Sequence, residues 1–205
     1  MGGDKVIYFT ADWHLHHKNI IRYCNRPFKT VKEMHNELFL RFNATVSPDD
    51  ITYHIGDFTM VGASHKDRFK GVLEKLNGMH HLILGNHDAM KPFQYIDIGF
   101  TSVHTSFPLK YVFEGLKFSF ILNHDPSVYC ILGVDDYLLH GHIHTLYQHL
   151  LPARKAINVG TDVWDFKPVS INDLCSLIMR ERKGGKIYND LEEAGMDRIL
   201  NQQGG

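Results

Sequence analysis

Three short runs near the start of the chain, "KVIYFTAD", "DDITYHIGD" and "HHLILGNHD", combine β-branched or aromatic residues with a polar ending at Asp12, Asp57 and Asn86-His87-Asp88. Runs of this length and composition predict strands. Two helical patterns separate them. In the first, Thr30 and Glu33 fit a capping box ahead of Val31, Met34, Leu38, Phe39 and Phe42, which recur at one-face helical spacing. In the second, Ser64 precedes Phe69, Val72, Leu73 and Leu76, and Asn77-Gly78 supplies a stop. Strand and helix in alternation predict an α/β fold with parallel pairing and crossover helices.

Past Asp88 the texture changes. "TSVHTSFPLKYVFEGLKFSFILNHD" predicts an antiparallel hairpin about Glu114-Gly115, and "YLLHGHIH" and "KAINVGTDVW" predict further strands. "SINDLCSLIMRERKGG" reads as a helix capped by Ser170, and the polar stretch from about 184 to 205 as a loosely attached tail. No repeat, low-complexity segment or linker divides the 205 residues, so a single domain is expected.

Composition narrows the class. Hydrophobic residues are 43% and charged residues 22%, and no apolar run nears the roughly 20 residues of a membrane span. The opening "MGGDKVIYFT" has neither the basic-then-apolar layout of an export signal nor the Ser or Thr of a myristoylation signal, so a cytoplasmic location without membrane attachment is expected. Cys24, Cys130 and Cys175 are odd in number and widely spaced, which argues against a disulfide framework or a zinc knuckle. A net charge of -1 gives no overall steering toward nucleic acid, so an anionic substrate needs local charge or metal. The 15 histidines are the one oddity, because imidazole is the commonest transition-metal ligand.

Their positions give the oddity meaning. Asp12 with His14, Asp57 after Gly56, Asn86-His87-Asp88 after Gly85, His124 after "FSFIL", and His142 with His144 all fall just past an expected strand end. In an open α/β sheet, strand ends of one sense gather along one edge, where ligands bind. Any one cluster is weak, since an aspartate after glycine is usually a turn or a cap.

As an ordered set these motifs resemble the calcineurin-like metallophosphoesterases, over about residues 6 to 166, and "FTADWHLHHKNIIRYCNRPF" is similar to the small phage and bacterial members. The resemblance implies a four-layer α/β/β/α sandwich of two mixed sheets. It also implies two divalent cations, Mn ahead of Fe, Zn or Ni. Asp12, His14, Asp57 and His144 would hold the first, and Asp57, Asn86, His124 and His142 the second, with Asp57 shared. Carboxylate, imidazole and amide together suit borderline ions better than Mg or Ca. A metal-activated hydroxide would attack phosphorus, His87 would act as general acid, and Asp88 would orient His87.

Departures from relatives refine the substrate. "GDFTMVG" has Met60 and Val61 where the protein-phosphatase branch carries Asp and Arg, which favours a phosphodiesterase or small phosphatase, and there is no room for the capping domain of the nuclease branch. Lys18, Arg22, Arg26, Lys29 and Lys32 run without an acidic residue from 16 to 32, either as a solvated face or as a cationic rim on which Tyr23 and Phe28 could stack a base. His17, Asn19, Arg22 and Arg26 are the candidate substrate contacts. The expectation is a phosphodiesterase acting on a nucleotide or short nucleic acid with no obligate protein partner. The alternatives are a phosphomonoesterase and an inactive scaffold of the same fold.

Overall fold

Alternation within the early strands divides the chain between two apolar clusters. In the computed structural model, which describes residues 5–60, 62, 69, 71–146, 150–151 and 155–184, β1 (Ile7–Thr10), β2 (Ile51–Ile55), β3 (Met79–Ile83) and β4 (Ser102–His104) pair in parallel. β5 (Phe107–Phe113), β6 (Leu116–Leu122), β7 (Asp136–His140), β8 (Leu150–Leu151) and β9 (Ala156–Asn158) form a second mixed sheet, in the order β5-β6-β7-β9-β8. β10 (Val169–Ser170) returns to the first sheet, antiparallel to β1, in the order β10-β1-β2-β3-β4. Phe9, Ile55 and Ile83 from the first sheet meet Phe120, Leu122, Leu139 and Ile157 from the second in one buried cluster. The neighbouring Leu82 instead joins a second cluster with Trp13, Met34, Leu38, Phe42 and Phe100. The protein is therefore a mixed α/β fold with two mixed sheets, and no described helix is long and apolar enough to cross a membrane.

The helices follow local chemistry. α1 (Lys18–Tyr23) is short and uncapped by a side chain. α2 (Val31–Asn43) starts where Thr30 Oγ1 accepts the Glu33 N–H at 3.1 Å, and it buries Met34, Leu38 and Phe42. Glu33 reaches back to the Lys29 N–H, one residue beyond the partner a capping box would use. α3 (Pro92–Asp97) follows β3, and α4 (Ile171–Gly184) starts as expected from Ser170, whose Oγ accepts the Asp173 N–H at 3.0 Å. The hairpin turn has positive φ at both Glu114 and Gly115, matching the twist of tight hairpins. Of the helix expected after Ser64, residues 64–68 and 70 lie outside the described residues, as does the tail beyond 184; its described part is not an α-helix but turns with a 3-10 turn at Leu73–Lys75, where Gly71 at φ 76° departs from helical backbone.

Register determines where the chemistry lies. Thr10 pairs with His54 and Ile55 with Ile83, so Asp12, Asp57 and Gly85-Asn86 leave their strands along one edge. The second sheet reaches the same edge: Ala11 bridges Gly160, and the Ala11 carbonyl accepts the Thr161 N–H at 3.0 Å.

Below the first sheet, His54 Nε2 lies 3.2 Å from His80 Nδ1, with His54 packed by Trp13, Phe42, Phe58 and Phe100. Burial pushes His80 down to about 4 and holds His54 well below the ordinary imidazole range. The unfolded imidazoles take up protons near pH 6.5 and the folded ones do not, so this contribution to stability is full above pH 6.5 and is lost as pH falls toward 4. For His80 the shift corresponds to roughly 3 kcal/mol. The urea midpoint is expected to fall steadily below pH 6.5, and less so in a His54→Phe, His80→Leu double variant. A profile that stays flat, or a double variant with the same slope, would remove the pair as its source.

Candidate metal centre

Five of the seven expected ligands sit in left-handed backbone: Asp12 (φ 61°), His14 (49°), Asp57 (52°), His142 (73°) and His144 (49°). This region is uncommon for residues with a Cβ, and clusters of it mark places where a turn is held by its surroundings. Here each turn bends a strand end back toward the seam between the sheets. Backbone bonds fix the bends, with the Asp12 N–H on the Gly56 carbonyl at 3.0 Å and the His14 N–H on the Asp57 carbonyl at 2.9 Å.

The side chains converge. Asp57 Oδ2 lies 3.4 Å from His14 Nε2 and 3.4 Å from His124 Nε2. Asn86 Oδ1 lies 3.1 Å from His124 Nε2 and 3.0 Å from His142 Nδ1. Asp12, His14 and His144 form one group that could hold a cation, and Asp12, Asp57 and His124 another. Metal–nitrogen bonds of roughly 2.0–2.1 Å give ligand-to-ligand spacings of about 3.0–3.4 Å, which these distances match. Both ring nitrogens of His14, which is 1% exposed, are buried without a hydrogen-bond partner. Such atoms are costly unless something else binds them, and a cation at Nε2 would do so.

At two of the four histidines the outer nitrogen is committed in the way a ligating imidazole requires. His124 Nδ1 faces the Ile55 carbonyl at 2.9 Å and His144 Nδ1 faces Asp162 Oδ2 at 3.1 Å, leaving each Nε2 to point inward. Two glycines make room. A Cβ on Gly85 would come within 2.3 Å of Asp57 Oδ1, and one on Gly56 (φ 82°) within 2.3 Å of His124 Nδ1.

Electrostatics match a site that trades protons for cations. Burial pushes His14 down to about 3, so its imidazole is neutral. Burial also opposes charge on His124 and His144, but Asp57 and Asp12 outweigh it at His124, carrying it up to about 9, and Asp162, Cys24 and Asp12 outweigh it at His144, carrying it up to about 10. Burial would raise Asp57, yet His124, His14 and the His87 N–H hold its carboxyl well below the usual range. Cation uptake at neutral pH would release the protons on His124 and His144.

Three expected assignments change. Asp88 does not orient His87. Its buried carboxylate accepts backbone N–H groups from Asp57 at 2.8 Å, Gly85 at 2.9 Å and Phe58 at 3.1 Å, so it ties the ends of β2 and β3 together. His87 is exposed, its N–H held by Asp57 Oδ1 at 2.9 Å and its ring 5.4 Å from that of His14. Arg26 is not a substrate contact, because it is 4% exposed and bonded bidentately to Asp162. Phe28 is 7% exposed and packs on Phe166 at 4.9 Å, so it offers no face to a base. His17 is half-buried with its ring 5.6 Å from His14, while Asn19 and Arg22 are exposed on α1. Asp162, in the 3-10 turn Thr161–Val163, belongs to the centre although nothing in its local sequence marked it.

No protein-family profile matches the chain. It is 26% identical to the Gene 66 protein of Mycobacterium phage L5 over 83% of this chain and 93% of that one. A crystal structure of the Aquifex aeolicus protein of unknown function AQ665 superposes with a TM-score of 0.62 at 24% identity, covering 85% of this chain and all of that one, so the fold is shared. The uncharacterized protein MJ1445 of Methanocaldococcus jannaschii is 35% identical over 192 residues, 91% of this chain and 98% of that protein. On identity that extends across nearly the whole of both sequences, the chain belongs to the family of MJ1445.

Proposed function

We propose that this protein is a two-metal phosphoesterase that hydrolyses a phosphodiester, of a nucleotide or oligonucleotide, on the four-layer α/β/β/α sandwich of the metallophosphoesterases. The observation that supports it best is the double position of Asp57, whose Oδ2 stands 3.4 Å from an imidazole nitrogen on either side. On this reading Asp12, His14, Asp57 and His144 hold one divalent ion and Asp57, Asn86, His124 and His142 the other. The pair, when bound, supplies Lewis acidity to the phosphoryl oxygens and a water that ionises near neutral pH.

The chain's own residues do the rest. Asp12 and Asp57 return only two negative charges, and Asn86 returns none, so the site keeps an excess of positive charge for an anion. His87, exposed beside His14, is placed to give a proton to the leaving oxygen. α1 runs on from His14 and carries Arg22 and the 63% exposed Tyr23 toward solvent, a rim suited to further phosphate or a base.

Mn-loaded protein assayed on an aryl phosphodiester and an aryl phosphomonoester tests the reading. Two Mn per chain and faster diester turnover are expected. Monoester preference would transfer the assignment to a phosphomonoesterase, and absence of both metal and turnover would leave an inactive scaffold.

A further inference from the structure

Arg26 is among the most enclosed charges in the molecule: its side chain is 0% exposed, and that of Asp162 2%. All five guanidinium N–H donors are used. Nε donates to Asp162 Oδ1 at 2.7 Å and Nη2 to Asp162 Oδ2 at 2.8 Å; Nη2 also donates to the Asp12 carbonyl at 2.6 Å, and Nη1 to the Trp13 carbonyl at 3.1 Å and Met34 Sδ at 3.3 Å. The same Asp162 Oδ2 faces His144 Nδ1 at 3.1 Å. One planar group thus connects the turn at the end of β1 to the acid that orients a histidine following β7.

We propose that Arg26 and Asp162 are positioning residues that form a clamp setting the geometry of the first cation site, by holding His144 and the Asp12 turn in a fixed relation across the two sheets. The inference rests on the two-metal reading and adds to it which site each distant residue governs. The clamp has no direct bond to Asn86, to His124 or to the ring of His142, and it reaches the second site only through Asp12, whose carboxylate accepts the His142 N–H at 3.0 Å, so its larger effect falls on the first site. Cys24, His144 and Asp162 also lie close enough to suggest a third cation site. Both Asp162 oxygens already accept from the guanidinium, so that cluster belongs to the clamp instead.

Lysine cannot replace the fork, since an ammonium offers no planar pair of donors to a carboxylate. Asp162→Asn replaces one acceptor oxygen with a donor, which opposes an Arg26 N–H in either orientation of the amide and also His144 Nδ1–H in one of them. Equilibrium dialysis of the full chain against Mn2+, with chelator competition, reads both sites. Wild type is expected to take up two ions, while folded Arg26→Lys and Asp162→Asn retain the second site and lose about 10- to 100-fold in affinity at the first. The lost affinity is expected to be greater in Asp162→Asn than in Asp162→Glu, which restores both oxygens. Variants that bind two ions with wild-type affinity would overturn the clamp and leave the two-metal reading intact; a wild type that binds none would overturn both. Should the variants not fold, proton NMR of the Zn2+-loaded wild type decides: a protected His144 Nδ1–H signal supports the clamp, and its absence overturns it.

Discussion

Asp57→Asn is expected to remove metal from both halves of the centre and to lower phosphodiester turnover by about three orders of magnitude, the rate equivalent of the several kcal/mol of charge stabilisation a metal site contributes. Asparagine keeps the size of the side chain and tolerates the left-handed φ of 52° at this position, so the change isolates charge from backbone shape. The amide oxygen can still accept the His87 N–H that Asp57 Oδ1 accepts, which keeps the end of β3 in place. Metal analysis after dialysis, circular dichroism and turnover would be measured on one preparation. Full metal content with full turnover would remove Asp57 from its shared position and the two-metal proposal with it.

His87→Ala has a different signature. Metal content should be unchanged, because His87 is exposed and holds nothing in the centre beyond its own N–H bond to Asp57. Turnover of a diester with an alcohol leaving group should fall about 10²- to 10⁴-fold, the range for loss of a general acid. A nitrophenolate leaving group needs little protonation, so its turnover should fall far less. Equal losses on both substrates would assign His87 to binding and not to proton transfer. Asp88→Asn separates the two roles further: since Asp88 holds the backbone at Asp57, Phe58 and Gly85, its loss should affect stability and metal content and should not reproduce the leaving-group dependence.

The places where the chain could be read directly are those where local pattern and tertiary position agree. An apolar strand that stops at Asp12, Asp57 or Asn86 must stop at a sheet edge, so the convergence of these residues with His124, His142 and His144 was legible without coordinates. Thr30 and Ser170 were legible for the same reason, since a cap acts within three residues. Arg26 was not. A basic residue has the same local sequence signature whether it faces water or an acid 136 positions away, and only the fold brings Asp162 to it. Asp88 misled because adjacency in sequence suggested partnership with His87, whereas its carboxylate turns back under the strand ends to reach backbone N–H groups. β10, with two residues, is too short to show alternation.

The left-handed turns have a consequence for what chemistry this edge can host. Aspartate, asparagine and histidine are the residues with side chains most often found at positive φ, and they are also the ligands gathered at this seam. The turns and a bound metal would thus draw on one small alphabet, and each would narrow the choice left by the other. A β-branched residue at 12, 14, 57, 142 or 144 would lose the ligand and the bend together. Redesign of the centre toward thiolate ligands would meet a backbone unsuited to cysteine at most positions before any question of metal preference arose, whereas exchanges among Asp, Asn and His stay within the conformations these strand ends already hold.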